Sequence, residues 1–148
     1  MQLLCATQAR ELREIFIGTF IDTTGDFYIS RIQKRILCSD GLCYTGYLWD
    51  VLLHRRQVSA PYVIHRLTEN QSPVYAFWDI HSRDQILIPN YWKYPKDAVL
   101  QLAPTEIEGI LPTLPEDCYF FDASLSWAAA LTHEESKPGK RICFFCGS

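Results

Sequence analysis

No stretch of this sequence approaches the roughly 18–20 consecutive apolar residues that a membrane span needs. The longest candidates are broken by Asp, Arg or His within a few positions, which excludes membrane insertion. A secretory signal is missing as well: Met1-Gln2-Leu3-Leu4-Cys5-Ala6 is too short for the apolar segment of one, and a charged helical pattern follows directly. A cytoplasmic, reducing location is therefore expected, with free thiols rather than a disulfide framework. There is no surplus of positive charge. Fourteen Lys and Arg against seventeen Asp and Glu give a formal net charge of −3, which argues against sequence-independent binding to nucleic acid, since that depends on counterion release by basic groups. Also lacking are a nucleophile elbow, a glycine-rich phosphate loop, a His-Glu-x-x-His pattern and any fixed-period repeat. No cofactor is expected.

What is present fits one domain over residues 1–148. The length lies in the usual range for a single core, and 48% apolar with 21% charged residues is ordinary globular composition. Aromatic residues make up 14% of the chain, more than a minimal core requires, so some rings are candidates for a recognition surface. Charge is distributed unevenly. Residues 31–66 carry six basic side chains (Arg31, Lys34, Arg35, Arg55, Arg56, Arg66) and two acidic ones (Asp40, Asp50), a balance of +4 that leaves −7 elsewhere. This is either a solvated face or one end of a dipolar molecule whose acidic part docks a basic partner.

Helical periodicity over residues 7–21 places Leu12, Ile15, Phe16, Thr19 and Phe20 on one stripe, with Arg10, Glu11, Arg13 and Glu14 elsewhere and Thr7 as N-cap. Residues 27–32 fit a strand or a helix equally. Tyr44, Leu48, Val51 and Leu52 predict a second helix over 43–56, with Trp49 one step off the stripe and Ser59-Ala60-Pro61 ending it. Residues 62–67 are ambiguous. The second half reads as strands at 74–80, 85–88, 118–122, 127–133 and 141–145, with an aromatic loop at 90–95 and a short helix at 105–111. The turns fall at 81–84, 123–126 and 134–140. An α+β fold follows: a mainly antiparallel sheet of about five strands, with two N-terminal helices and one short helix packed on it.

Two sets of residues have chemical potential. Cys143 and Cys146 have C-x-x-C spacing and Cys38 with Cys43 offers a second pair, so four thiolates would suit a zinc-stabilised interaction module. Against this, Cys143 and Cys146 point to opposite faces of an extended strand, which favours independent free thiols. The second set is Asp79 with His81, and His133 with Asp122 or Glu134. A histidine oriented by a carboxylate serves as a general base, and Ser124, Ser126 or Cys118 would be its nucleophile in a small hydrolase or transferase. The plain alternative is polar groups at strand ends satisfying local turns. Ala128, Ala129 and Ala130 leave room for close helix packing or for a shallow ligand floor. Tyr91, Trp92 and Tyr94 in the aromatic loop, together with Trp49, are the candidate partner-binding rings.

The run from Tyr119-Phe120-Phe121-Asp122 through Trp127 to Thr132-His133-Glu134 resembles a signature of small uncharacterised bacterial proteins, and the whole is similar in type to immunity proteins that neutralise bacterial toxins. The resemblance implies a non-enzymatic protein that binds a protein partner in an immunity or antitoxin-like role.

Overall fold

A computed structural model describes residues 1–86 and 93–147. The first helix, α1 (Ala6–Phe20), runs within one residue of expectation at each end, with Cys5 rather than Thr7 at its N-cap. Its buried face is Ala9, Arg13, Phe16 and Phe20, whereas Ile15 and Thr19 are exposed. The stripe is turned from the expected one because Arg13 faces inward. Its guanidinium donates to the Trp78 carbonyl at 3.0 Å and lies 4.8 Å from the centre of the Phe77 ring. A partnered head and an apolar stem make that burial tolerable.

Residues 27–32 are helical: α2 (Asp26–Tyr28) continues into a π-helical turn (Ile29–Gln33). The expected helix over 43–56 does not form. In its place stand β3 (Gly41–Cys43), paired with β2 (Ile36–Cys38), then a 3₁₀ turn (Leu48–Val51) and β4 (Arg56–Val58). The cause is that the backbone donors are claimed by distant acceptors. Tyr44 N–H bonds the Ile80 carbonyl at 2.9 Å, and the N–H groups of Thr45 and Gly46 both bond the Arg31 carbonyl at 3.0 Å. Gly46 is required there, because a Cβ would stand 2.9 Å from that of Arg31. Tyr44, Leu48 and Leu52 are still buried, from an irregular backbone. Pro61 likewise begins a helix instead of ending one. It lies in the first turn of α3 (Ala60–Thr68), where a proline sacrifices no hydrogen bond, and Ser59 caps that turn by accepting from Tyr62 N–H at 3.2 Å.

The main sheet has seven antiparallel strands in the order β1-β6-β5-β7-β8-β9-β4. β1 is Gln2–Leu3, β5 Val74–Trp78, β6 Leu100–Leu102, β7 Cys118–Phe121, β8 Trp127–Lys137 and β9 Lys140–Gly147. Four of the expected strands form, as β5, β7, β8 and β9, and the three that were not expected, β1, β4 and β6, have two or three residues each. Gln85 and Ile86 belong to a turn, each N–H bonding the Ser82 carbonyl at 3.0 Å. Residues 87 and 88, the rest of the expected strand there, lie outside the described residues. β8 extends past its expected end to Lys137, so the turn shrinks to Pro138-Gly139, where glycine takes φ of +77°.

Both faces of the sheet are covered. Phe77, Tyr119, Phe121, Ala128 and Ala130 pack with α1 and the 44–52 segment. Ala76, Trp78, Phe120, Trp127, Ala129 and Leu131 pack on the other side with α3 and the short helix α4 (Ile107–Ile110). The alanine run thus serves packing on both faces. Among the described residues no helix is long and apolar enough to cross a membrane.

Phe16 is the hub of the first layer, its ring centre 4.8–5.9 Å from those of Phe20, Phe77, Tyr119 and Phe121. Phe16→Ala is expected to cost about 3–5 kcal/mol, as for other fully buried rings. Urea denaturation followed by Trp fluorescence measures it, and a loss below 1 kcal/mol would contradict the hub assignment.

Candidate functional site

Asp79 follows β5 directly and is 1% exposed. Its Oδ1 accepts from the Tyr44 hydroxyl at 2.8 Å and from Leu48 N–H at 3.1 Å, and its Oδ2 accepts from the Tyr119 hydroxyl at 2.6 Å. The Tyr119 oxygen accepts in turn from Trp49 N–H at 3.1 Å, and Trp49 Nε1–H donates to Asp117 Oδ1 at 3.0 Å. Asp117, 1% exposed, also receives the backbone N–H of His133 and holds its Nδ1 at 3.0 Å from both carboxylate oxygens. A continuous polar chain therefore leads from Asp79 beneath the 44–52 segment to a histidine at the surface.

Tyr47 joins the two ends of that chain. Its ring centre is 4.8 Å from His81, 5.1 Å from Trp49 and 5.2 Å from His133. The His81 Nε2–H donates to the Gly46 carbonyl at 2.7 Å, which fixes that nitrogen as the protonated one. Burial raises the Asp79 carboxyl to about 6, against the opposing pull of His81, the Tyr119 hydroxyl, Leu48 N–H and the Tyr44 hydroxyl. Burial and the Asp79 charge together push both tyrosines well above their ordinary range, so they remain phenols that donate. Tyr47 is raised to about 12, by burial first and by Asp117 and Asp79 after it.

Of the residues singled out in the sequence, His81 and His133 are brought against one ring, that of Tyr47, and Asp79 is joined to His133 through the polar chain. Asp122 is not. It closes the opposite end of β7, accepting from Ser124 N–H at 3.0 Å and Asn70 Nδ2 at 3.1 Å. The four residues of β7 separate it from Asp117, five steps of about 3.3 Å, or about 16 Å. Ser124 and Ser126 sit with it, hydroxyl to hydroxyl at 2.8 Å. Cys118 is buried on the α3 side, where desolvation pushes its thiol far up. Glu134 is exposed, and its N–H bonds Thr132 Oγ1 at 3.2 Å. The carboxylate that orients His133 is therefore Asp117. The hairpin register contains the signal for it: pairing Cys118 with Leu131 brings residue 117 beside residues 132 and 133.

Trp49 is buried, stacked between Tyr47 and Phe144, and does not present a free ring. Tyr94 is half-buried against Trp78, ring centres 5.7 Å apart. Tyr91 and Trp92 lie outside the described residues. Cys143 and Cys146 face opposite layers, and among the described residues no group of three or more His, Cys, Asp or Glu side chains is placed to hold a metal. The four-thiolate site is thus not assembled. The basic residues of 31–66 divide as well: Arg55 lies over Phe144 on one face of the sheet, and Arg56 and Arg66 lie over Phe145 on the other.

One feature escaped the sequence reading. The β2–β3 hairpin stands apart from the main sheet and carries Leu37 and Leu42 as directly paired residues, 81% and 59% exposed. Asp40 in its turn accepts from Ser82 Oγ at 3.0 Å and Arg83 N–H at 2.9 Å, and meets Lys96 Nζ at 3.1 Å. The Arg83 N–H bond above all holds the Asp40 carboxyl down at about 2. Compared with known family models, curated proteins and solved structures, the chain matches none.

Asp79 should write a signature into the pH dependence of stability. An ordinary aspartate titrates near 3.8 and this one at about 6, so the native state holds more protons across that interval. The contribution is complete below the lower value and lost as pH rises through the upper one. Asp79→Asn is expected to remove this decline and to cost about 1–3 kcal/mol by depriving the Tyr119 hydroxyl of its acceptor. Urea unfolding at a series of pH values from acid to neutral tests this, and identical pH slopes for both proteins would overturn it.

Proposed function

We propose that this chain is a non-enzymatic binding protein that docks a protein partner through the β2–β3 hairpin, with an immunity or antitoxin-like role as its most concrete form. The observation that carries the reading is the Leu37–Leu42 pair. Two large aliphatic side chains stand adjacent in water on a hairpin that belongs to neither core layer. Solvent exposure of a paired apolar surface is costly unless something covers it. The turn is tied down by Asp40 and by Ser39 Oγ, which donates to Asp84 at 2.6 Å, so the pair is presented with little entropy left to lose. Arg31, Lys34 and Arg35 are exposed in the residues leading into the hairpin. The matching partner surface is an apolar recess bordered by carboxylates, opposite in charge to the partner that the acidic remainder of the chain would attract.

A second reading has one observation in its favour. Asp117 holds His133 by Nδ1 and the imidazole is 36% exposed, and a histidine so oriented by a carboxylate is suited to act as a general base. If this is the working group, His133→Ala abolishes turnover of an activated ester or phosphodiester by the purified protein, and equal rates for both proteins would remove the reading.

The docking reading is tested by mixing the protein with toxins encoded beside its gene, measuring complex formation by calorimetry and toxin activity in parallel. A 1:1 complex with inhibition is expected, and Leu37→Asp with Leu42→Asp should weaken it about a hundredfold or more while leaving the circular dichroism unchanged. Neither complex nor inhibition, or undiminished affinity in the double variant, would refute it.

A further inference from the structure

Six thiols are spread over this chain, and among the described residues only one pair of sulfurs meets. Cys5 is exposed and its thiol bonds Gln8 Oε1 at 3.5 Å. Cys118, Cys143 and Cys146 are buried in the sheet, the last two turned to the carbonyls of Arg141 and Ala128 at 3.9 and 3.7 Å. Cys38 and Cys43 place their sulfurs 2.9 Å apart.

The register of the hairpin accounts for the contact. Ile36 pairs with Cys43 and Cys38 with Gly41, so the cysteines are diagonal neighbours on the face opposite the Leu37–Leu42 pair. Gly41, at φ +108°, presents no side chain across from Cys38 and leaves the diagonal open. The two thiols are unequal: Cys38 is half-exposed, whereas Cys43 is fully buried. Burial, and after it Cys38, raises the Cys43 thiol to about 11, so Cys43 is protected from direct attack. An accessible thiol beside a sheltered one has the layout of an attacking and a resolving cysteine.

We propose that Cys38 and Cys43 form a hydroperoxide-responsive modification site that closes reversibly to an intramolecular disulfide. The Cys38 thiolate attacks one peroxide oxygen and the O–O bond breaks. The departing oxygen takes up the thiol's proton and leaves as an alcohol, or as water from hydrogen peroxide, while Cys38 becomes a sulfenic acid. The Cys43 sulfur then attacks the Cys38 sulfur, the S–O bond breaks, and hydroxide leaves as water with the Cys43 proton. Two thiols lose two electrons in total and the peroxide gains them; a dithiol reductant reverses the result by exchange. Hydrogen bonds of Ser39 and Asp40 already hold the turn, and a covalent tie across the two three-residue strands adds to them by locking the register that displays Leu37 beside Leu42. Only that last consequence rests on the docking reading. The modification itself is read on the isolated protein, so either can fail without the other.

The test uses the dilute wild-type chain, treated with near-stoichiometric hydrogen peroxide, alkylated under denaturing conditions and analysed by intact and peptide mass spectrometry. Both cysteines fall on one tryptic peptide, residues 36–55. The expected result is a peptide lighter by two hydrogen masses that carries no alkyl group, restored to a doubly alkylated form by dithiothreitol. Cys43→Ser should stop at a Cys38 sulfenic acid trapped by dimedone, and Cys38→Ser should leave Cys43 reduced. Two outcomes overturn the proposal: both thiols still reduced at a dose that oxidises the exposed Cys5, or Cys38 advancing to sulfinic acid with Cys43 free.

Discussion

A buried carboxylate that accepts hydrogen bonds from two otherwise separate parts of the chain imposes a fixed distance between them, and Asp79 does this for the 44–52 segment and β7. Tyr44 and Leu48 reach it from one side and Tyr119 from the other. Taking the charge out of water is unfavourable, and three donors offset it only if all three arrive together. The segment therefore has one available course over the sheet. That course carries Trp49 to Asp117, and Asp117 in turn orients His133.

The same constraint explains what local patterning conveyed and what it concealed. Runs such as Val74–Trp78 and Cys118–Phe121 declare themselves as strands because their neighbours in space are neighbours in pattern. Helix α1 is legible for its length, although its inner face is not, since a partnered Arg13 counts as polar in any periodicity argument. Tyr44, Leu48 and Leu52 recur at helical spacing and are buried, yet the acceptors that unwind them are Arg31, Ile80 and Asp79, outside any local window. Pro61 carried the right punctuation and the wrong direction, because a proline marks a helix start as readily as a stop.

At the site, histidines and carboxylates were visible as types and their pairing was not. Strict alternation along β8 places His133 on the side of Trp127 and Leu131. The register shift between Leu131 and Glu135 turns it toward Tyr47 and Trp49 instead. The aromatic surplus resolves similarly. Phe16, Phe77, Tyr119 and Phe121 are ring neighbours within one layer, and Tyr47 and Trp49 surround the histidines. The conspicuous surface is aliphatic, on a hairpin too short for its sequence to stand out.

The strand order carries a further meaning for synthesis. β5, β7 and β8 occupy the middle of the sheet, and all come from residues beyond 73, whereas β1 and β4 from the earlier half take the two edges. A ribosome therefore releases the covering layer before the surface it covers. Phe16, Leu48 and Trp49 leave the exit tunnel with nothing to bury them, and they wait until the central strands have followed. During that interval the inner face of α1 stays uncovered, so the first layer closes only once β7 and β8 have emerged.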